Sequence, residues 1–204
     1  METLPMVSRK ALRRWDKAKP PKYLHAEQVR QIIEYERQRS KPGKLGFYYV
    51  LFSVLWQTGA RIGEVLDIKV DDISRNSQAG QLSIRIKTEK QREDAVRYVP
   101  IQQGLYDTLW LYIRDYELKS ADKLFDISKP ACHKELKHAC KALGFPDWIH
   151  LHTFRHSFAV HFLAEGQGIN SLKELLGHSS IETTMIYLKV FQPDLQAAIN
   201  KIVF

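Results

Sequence analysis

The chain has 204 residues, 44% of them apolar, which is enough for one ordinary domain, or one domain and an arm, with a real core. Its 31 Lys and Arg outweigh 23 acidic residues, and the resulting net charge of +8 and pI near 9.4 point to a polyanionic partner, nucleic acid first. Two cysteines cannot build a disulfide framework, and no apolar run reaches the roughly 20 residues a membrane span requires, so a cytoplasmic protein is expected.

Residues 1–22 carry seven basic side chains and the prolines Pro20 and Pro21, the composition of an extended basic arm or linker. From His25 the spacing of Val29, Ile32, Ile33 and Tyr35 predicts a helix that KPGK at 41–44 ends. Leu45 to Gly59 reads as a buried helix, and RIGEVLDIKV as a shorter one that sets Arg61 and Glu64 together at i, i+3. From Gln81 the period changes to two. Leu82, Ile84 and Ile86 alternate with Ser83, Arg85 and Lys87, and the alternation resumes in AVRYVPI after TEKQRED, which predicts a β-hairpin with a cationic solvent face and Lys90 and Arg92 in its turn.

Beyond the hairpin, Leu105, Leu109, Tyr112 and Tyr116 mark one core helix, and a second runs from a Ser128 cap to a Gly144 stop. Cys132, Leu136, Cys140 and Leu143 share a stripe of that second helix, so Cys132, His133, His138 and Cys140 do not converge on a metal. HTFRHSFAVHFLAEGQG is helical, with Phe154, Phe158 and Phe162 on its apolar side. Two short helices follow, with expected capping boxes Ser171/Glu174 and Ser179/Glu182, and PDLQAAINKIVF closes the chain as an amphipathic tail helix over 193–204. The expected class is α+β, mainly helical, with a small antiparallel sheet or hairpin.

His152 and His156 stand one helical turn apart, a spacing zinc enzymes use, but Thr153 follows the first and Arg155 puts a permanent cation on the same face. A guanidinium fork beside imidazoles suits an anionic oxygen cluster instead, and a phosphate is the natural guest. No metal is called for.

TGARIGE at 58–64, the basic hairpin with Lys87, LHTFRH at 151–156, LLGH at 175–178 and Tyr187 occur in one order, and that order resembles the tyrosine site-specific recombinases, or phage integrase family, over about Pro21 to Val190. The resemblance implies a recombinase catalytic domain over 23–204. Arg61 and Arg155 would clamp a scissile phosphodiester, His152 would transfer a proton and orient, His178 would donate a hydrogen bond to the same phosphate, and Tyr187 would attack. Lys87, with Lys90 as the alternative, would protonate the leaving 5′ oxygen; Glu64 would orient Arg61 or its neighbours, and His156 would support from behind. Arg85, Lys90 and Arg92 are the candidate DNA contacts.

The implied chemistry cuts and rejoins strands through a 3′-phosphotyrosine, with neither cofactor, metal nor ATP, for integration, excision, inversion or resolution. Implied partners are double-stranded DNA at a specific site, three further copies in a tetramer linked through the tail, and accessory DNA-bending proteins, in a prokaryotic, nucleoid-associated setting. A type IB topoisomerase or a non-catalytic DNA-binding regulator are the alternatives. Most members carry a helical DNA-clamping domain ahead of this one. Only the basic arm stands there here, so the chain is expected to be either an excised catalytic domain or a recombinase that works as one, like the fimbrial phase-variation inverters.

Overall fold

Helix α1 (Ala26–Gln38) starts where the His25 backbone is extended and its N–H donates to Gln28 Oε1 at 3.0 Å, one half of a reciprocal cap. The computed structural model describes residues 19–75, 81–88 and 95–191. Most of the basic arm, the hairpin turn with Lys90 and Arg92, and the tail over 193–204 lie outside the described residues.

Val29 and Ile32 of α1 are buried against α2 (Phe47–Thr58), whose Val50, Leu51, Phe52, Val54 and Leu55 are wholly inaccessible. Each such side chain is worth roughly 1.5–3 kcal/mol when fully buried, so α2 is the core's axis. It packs on α4 (Gln103–Asp115) and on α6 (Leu151–Ala164), where the Phe52 and Phe154 rings stack at 5.4 Å. Gly59 ends α2 at φ +60°, and a Cβ there would meet Phe158 Cδ1 at 2.4 Å, so both backbone sign and space demand glycine. The next helix, α3 (Ile62–Leu66), restarts the chain with Arg61 at its N-cap.

The sheet has three antiparallel strands in the order β1 (Ile73–Arg75), β2 (Leu82–Lys87) and β3 (Val96–Pro100), one more than the hairpin that alternation predicted. Three residues are too few for a period-2 signal, which is why β1 was invisible. Ile84 sits opposite Val99 and Ile86 opposite Arg97, so these four share the core-facing side, while Arg85 with Tyr98 and Lys87 with Val96 share the outer one.

Helix α5 (Lys129–Ala142) begins at Ser128, whose Oγ accepts from the Ala131 N–H, as expected. Its Cys132 and Cys140 are buried and His133 and His138 exposed; burial pushes both thiols up to about 11. In α4 the stripe ends on Ile113, not Tyr116, which is exposed and donates its hydroxyl to the Leu45 carbonyl.

Both expected capping boxes are corrected. Helix α7 (Ile169–Leu176) starts at a Gly168 cap, and the Leu172 N–H already bonds to the Gly168 carbonyl at 3.1 Å, so Ser171 lies inside the first turn. For α8 (Ile181–Met185) the cap is Ser180, whose Oγ accepts from the Glu182 N–H; Ser179 stands one residue too early. A 3-10 stretch, Ile186–Val190, then carries Tyr187 into a second, smaller core made with Ala159, Val160, Leu172 and Leu176.

Candidate active site

Arg155 leaves α6 and is only 1% exposed. Its Nη1 donates to the Gly59 carbonyl at 2.9 Å and its Nη2 to the Leu176 carbonyl at 2.8 Å. A buried guanidinium therefore uses its fork to satisfy the C-terminal carbonyls of α2 and α7, and this pins the two segments that carry Arg61 and His178. Burial, with Arg61 close by, pulls its pKa down to about 10, which leaves it charged at neutral pH.

Arg61 is held from two directions by one carboxylate: its backbone N–H donates to Glu64 Oε2 and its Nη1 to Glu64 Oε1, both at 2.9 Å. Burial would push the Glu64 carboxyl up, but the hydrogen bond and charge of Arg97, with the Arg61 N–H and guanidinium, outweigh it and hold the pKa below the usual range. Glu64 is thus ionised and holds Arg61, which the i, i+3 spacing sets beside it. Arg97 is the residue that sequence reasoning missed. Its signal was present: counting by two from the buried Val99 puts Arg97 on the core face of β3, an inward charge that needs a partner.

The histidines surround the guanidiniums. The His152 ring meets His156 edge-on, with centroids 4.6 Å apart. Although His152 borders solvent, partial removal from water, with Arg155 and Arg61 adding to it, pushes its pKa down to about 4. His156 is likewise lowered to about 4, chiefly by burial and then by His152. His178 shares a 2.8 Å hydrogen bond between its Nδ1 and Thr184 Oγ1, a second contact that sequence gave no hint of, and burial with Arg155 and Arg61 takes it to about 3. All three imidazoles are neutral at pH 7.

Tyr187 is 2% exposed, and its hydroxyl lies 3.1 Å from His156 Nδ1. Burial raises the phenol's pKa, while the charges of Arg155 and Arg61 and a hydrogen bond to Arg155 pull the other way. Of the expected site residues, then, Arg61, Glu64, His152, Arg155, His156, His178 and Tyr187 are gathered into one connected network. Lys87 is exposed on the outer face at the end of β2, next to Thr88, whose Oγ1 accepts from Arg97 Nη1 at 3.2 Å. Arg85 also lies on that face, with its guanidinium engaged by the buried Asp72 at 2.6 Å.

A mainly helical domain that gathers two guanidiniums, three neutral imidazoles and a phenol is equipped to act on an anionic ester with a tyrosine as nucleophile. The chain belongs to the phage integrase family, whose family model matches residues 22–193. It is 28% identical over 186 residues to a tyrosine recombinase of Pseudothermotoga lettingae, covering 89% of this chain and 61% of that protein. With the tyrosine recombinase XerA of Pyrococcus furiosus it shares 31% over 192 residues, covering 89% and 62%. The chain spans about three-fifths of the length of these two relatives. Among solved structures, the catalytic domain of bacteriophage HP1 integrase is similar with a TM-score of 0.63 at 26% identity, over 88% of this chain and 94% of that one. The XerH recombinase bound to a palindromic difH substrate shares the fold, at a TM-score of 0.74 and 23% identity over 90% of this chain and 54% of that one.

Proposed function

We propose that the protein is a site-specific recombinase that cuts and rejoins double-stranded DNA through Tyr187. The phenolic oxygen attacks the scissile phosphorus, the new oxygen–phosphorus bond forms as the bond to the 5′ oxygen breaks, and the strand is left as a 3′-phosphotyrosine. The phenol's proton passes to a neutral imidazole, His152 by the family resemblance, with His156 holding the hydroxyl beforehand. The leaving 5′ oxygen takes a proton from Lys87. Arg61 and Arg155, with His178, offset the charge that develops on the non-bridging oxygens. Since one phosphoester replaces another, a 5′ hydroxyl reverses the step on a second strand without ATP.

The observation that carries this reading is the buried Tyr187 hydroxyl at 3.1 Å from His156 Nδ1, in a site that also holds Arg155. A net charge of +8 supports a DNA partner. Four copies acting together, joined through residues 193–204 and helped by DNA-bending proteins, complete the proposal. Covalent complexes recovered from expressing cells identify the DNA, and a nicked duplex of that sequence then yields a protein-linked, protease-sensitive product. Persistence of the product in Tyr187→Phe overturns the assignment, and relaxation of supercoils without recombinant product favours a topoisomerase.

A further inference from the structure

We propose that Arg97 is a positioning residue that aims Arg61 at the substrate phosphate by sharing Glu64 with it, and that it thereby sets the positive charge of the site. This rests on the strand-transfer reading above. Arg97 Nη2 donates to Glu64 Oε2 at 2.7 Å and Nη1 to Oε1 at 3.3 Å, so one carboxylate lies between two guanidiniums. The same side chain donates through Nε to the Leu175 carbonyl at 2.7 Å and through Nη1 to Thr88 Oγ1 at 3.2 Å. It therefore joins three segments: the cap of α3 that carries Arg61, the end of α7 at Leu175, three residues before His178, and the residue after Lys87.

Arg97 does not itself offer a contact to substrate. Its side chain is 10% exposed and its fork is occupied by Glu64, Leu175 and Thr88. It also lies flat on Gly177, where a Cβ would come within 2.8 Å of Nη1 and where φ is +65°. The glycine of LLGH is thus required both by the helix stop and by the arginine against it.

The charge balance gives Arg97 its effect. Glu64 carries one negative charge against the two guanidiniums, which leaves a net positive charge facing the phosphate. Without Arg97, Arg61 is the guanidinium left beside Glu64, and it is drawn back from the phosphate onto the carboxylate. A buried carboxylate that loses its partner holds the remaining cation more tightly, because little water competes for it.

The test compares adduct formation on a nicked duplex whose scissile linkage is an ordinary phosphate with one whose linkage is a neutral methylphosphonate. For Arg97→Ala the rate on phosphate should fall roughly 10- to 100-fold, the scale of a misplaced reacting partner, with DNA affinity within about threefold because many phosphate contacts remain. On the methylphosphonate, which no longer presents the charge that Arg61 must meet, the deficit should shrink to a few-fold. Arg97→Lys keeps the charge beside Glu64 without the fork, folds in the event that the alanine variant does not, and should recover part of the rate on phosphate. A deficit equal on both substrates, or none at all, overturns the proposal. Failure of the unaltered protein to form any Tyr187-dependent adduct overturns the strand-transfer reading, and this proposal with it.

Discussion

The Tyr187 hydroxyl is 3.1 Å from His156 Nδ1, so the phenol of the 3-10 stretch is held by the histidine that follows Arg155 on α6. His156 had been expected to support the site from behind. Direct contact with Tyr187, the proposed nucleophile, gives it a larger part: with its pKa down at about 4 it is neutral at pH 7, and as a neutral ring it can accept the phenol's hydrogen bond. Replacing His156 by Ala should slow adduct formation about tenfold, the cost of one hydrogen bond at roughly 1–1.5 kcal/mol. His156→Asn, which restores a polar atom near the position of Nδ1, should regain part of it. Equal rates for the two variants would separate His156 from the nucleophile.

Arg61 and Arg155, both part of the proposed phosphate clamp, should separate in stability. Arg155→Ala removes the donors that satisfy the Gly59 and Leu176 carbonyls, and two stranded acceptors cost roughly 2–4 kcal/mol, or about 5–15 °C in Tm for a chain of this size. Arg61 lies nearer the surface, with 24% of its side chain exposed, and Glu64 keeps Arg97 when it is lost, so Arg61→Ala should cost within about 1 kcal/mol. Thermal melts of the two variants measure this, and matching losses would show that the buried fork of Arg155 is not a structural tie.

Where residue chemistry and helical period agree, the residues that the fold brings together were legible in the sequence. His152, Arg155 and His156 follow from the face of α6 and Glu64 from its spacing to Arg61, whereas His178 and Tyr187 were singled out by the order of motifs that resembles the tyrosine recombinases. Arg97 was missed because a charge in an alternating strand was assigned to solvent, although its parity with Val99 and Ile84 puts it on the core side. The Thr184 contact to His178 was missed for a different reason: it depends on how α8 folds back on α7, which no local pattern encodes. The strand β1 was too short to announce itself, and the caps of α7 and α8 fell one to three residues from the serines that best fit the rule, because Gly168 and Ser180 already occupy the extended positions.

Acid should destabilise the DNA-free protein well above the carboxylate range. His152 and His156 titrate near 4 and His178 near 3 in the fold, whereas in the unfolded chain each does so near 6.5. As pH falls through 6.5 the unfolded chain takes up protons that the fold refuses, so the stability present above 6.5 is lost progressively down to about 4. Glu36 works the other way: burial, with Glu135 nearby, raises it to about 7, and the stability it adds below 4.5 disappears as pH rises through 7. Three histidines outnumber one glutamate, so Tm should drop on going from pH 7 to pH 5, and His178→Asn should flatten that slope. A Tm that is constant or rises over this interval would contradict the lowered imidazole pKa values.

An alkoxide leaves poorly, so its bond to phosphorus breaks quickly only if an acid protonates it in the transition state, an effect worth about 10²–10⁴ in rate. Lys87 ends β2 with its ammonium in solvent, and the next residue, Thr88, is fastened through Arg97 to the carboxylate that orients Arg61. That chain of contacts ties the residue after Lys87 to the carboxylate that holds Arg61, and so to the proposed phosphate clamp. Lys87→Ala should therefore slow cleavage of an ordinary linkage by at least about a hundredfold, within the range for a lost general acid. A 5′ bridging sulfur leaves as a thiolate without needing a proton, so on that substrate Lys87→Ala should cleave within a few-fold of the unaltered protein. Arg61→Ala, whose defect lies at the non-bridging oxygens, should stay slow on both substrates. Rescue of Lys90→Ala by sulfur, with no rescue of Lys87→Ala, would move the acid three residues along the hairpin.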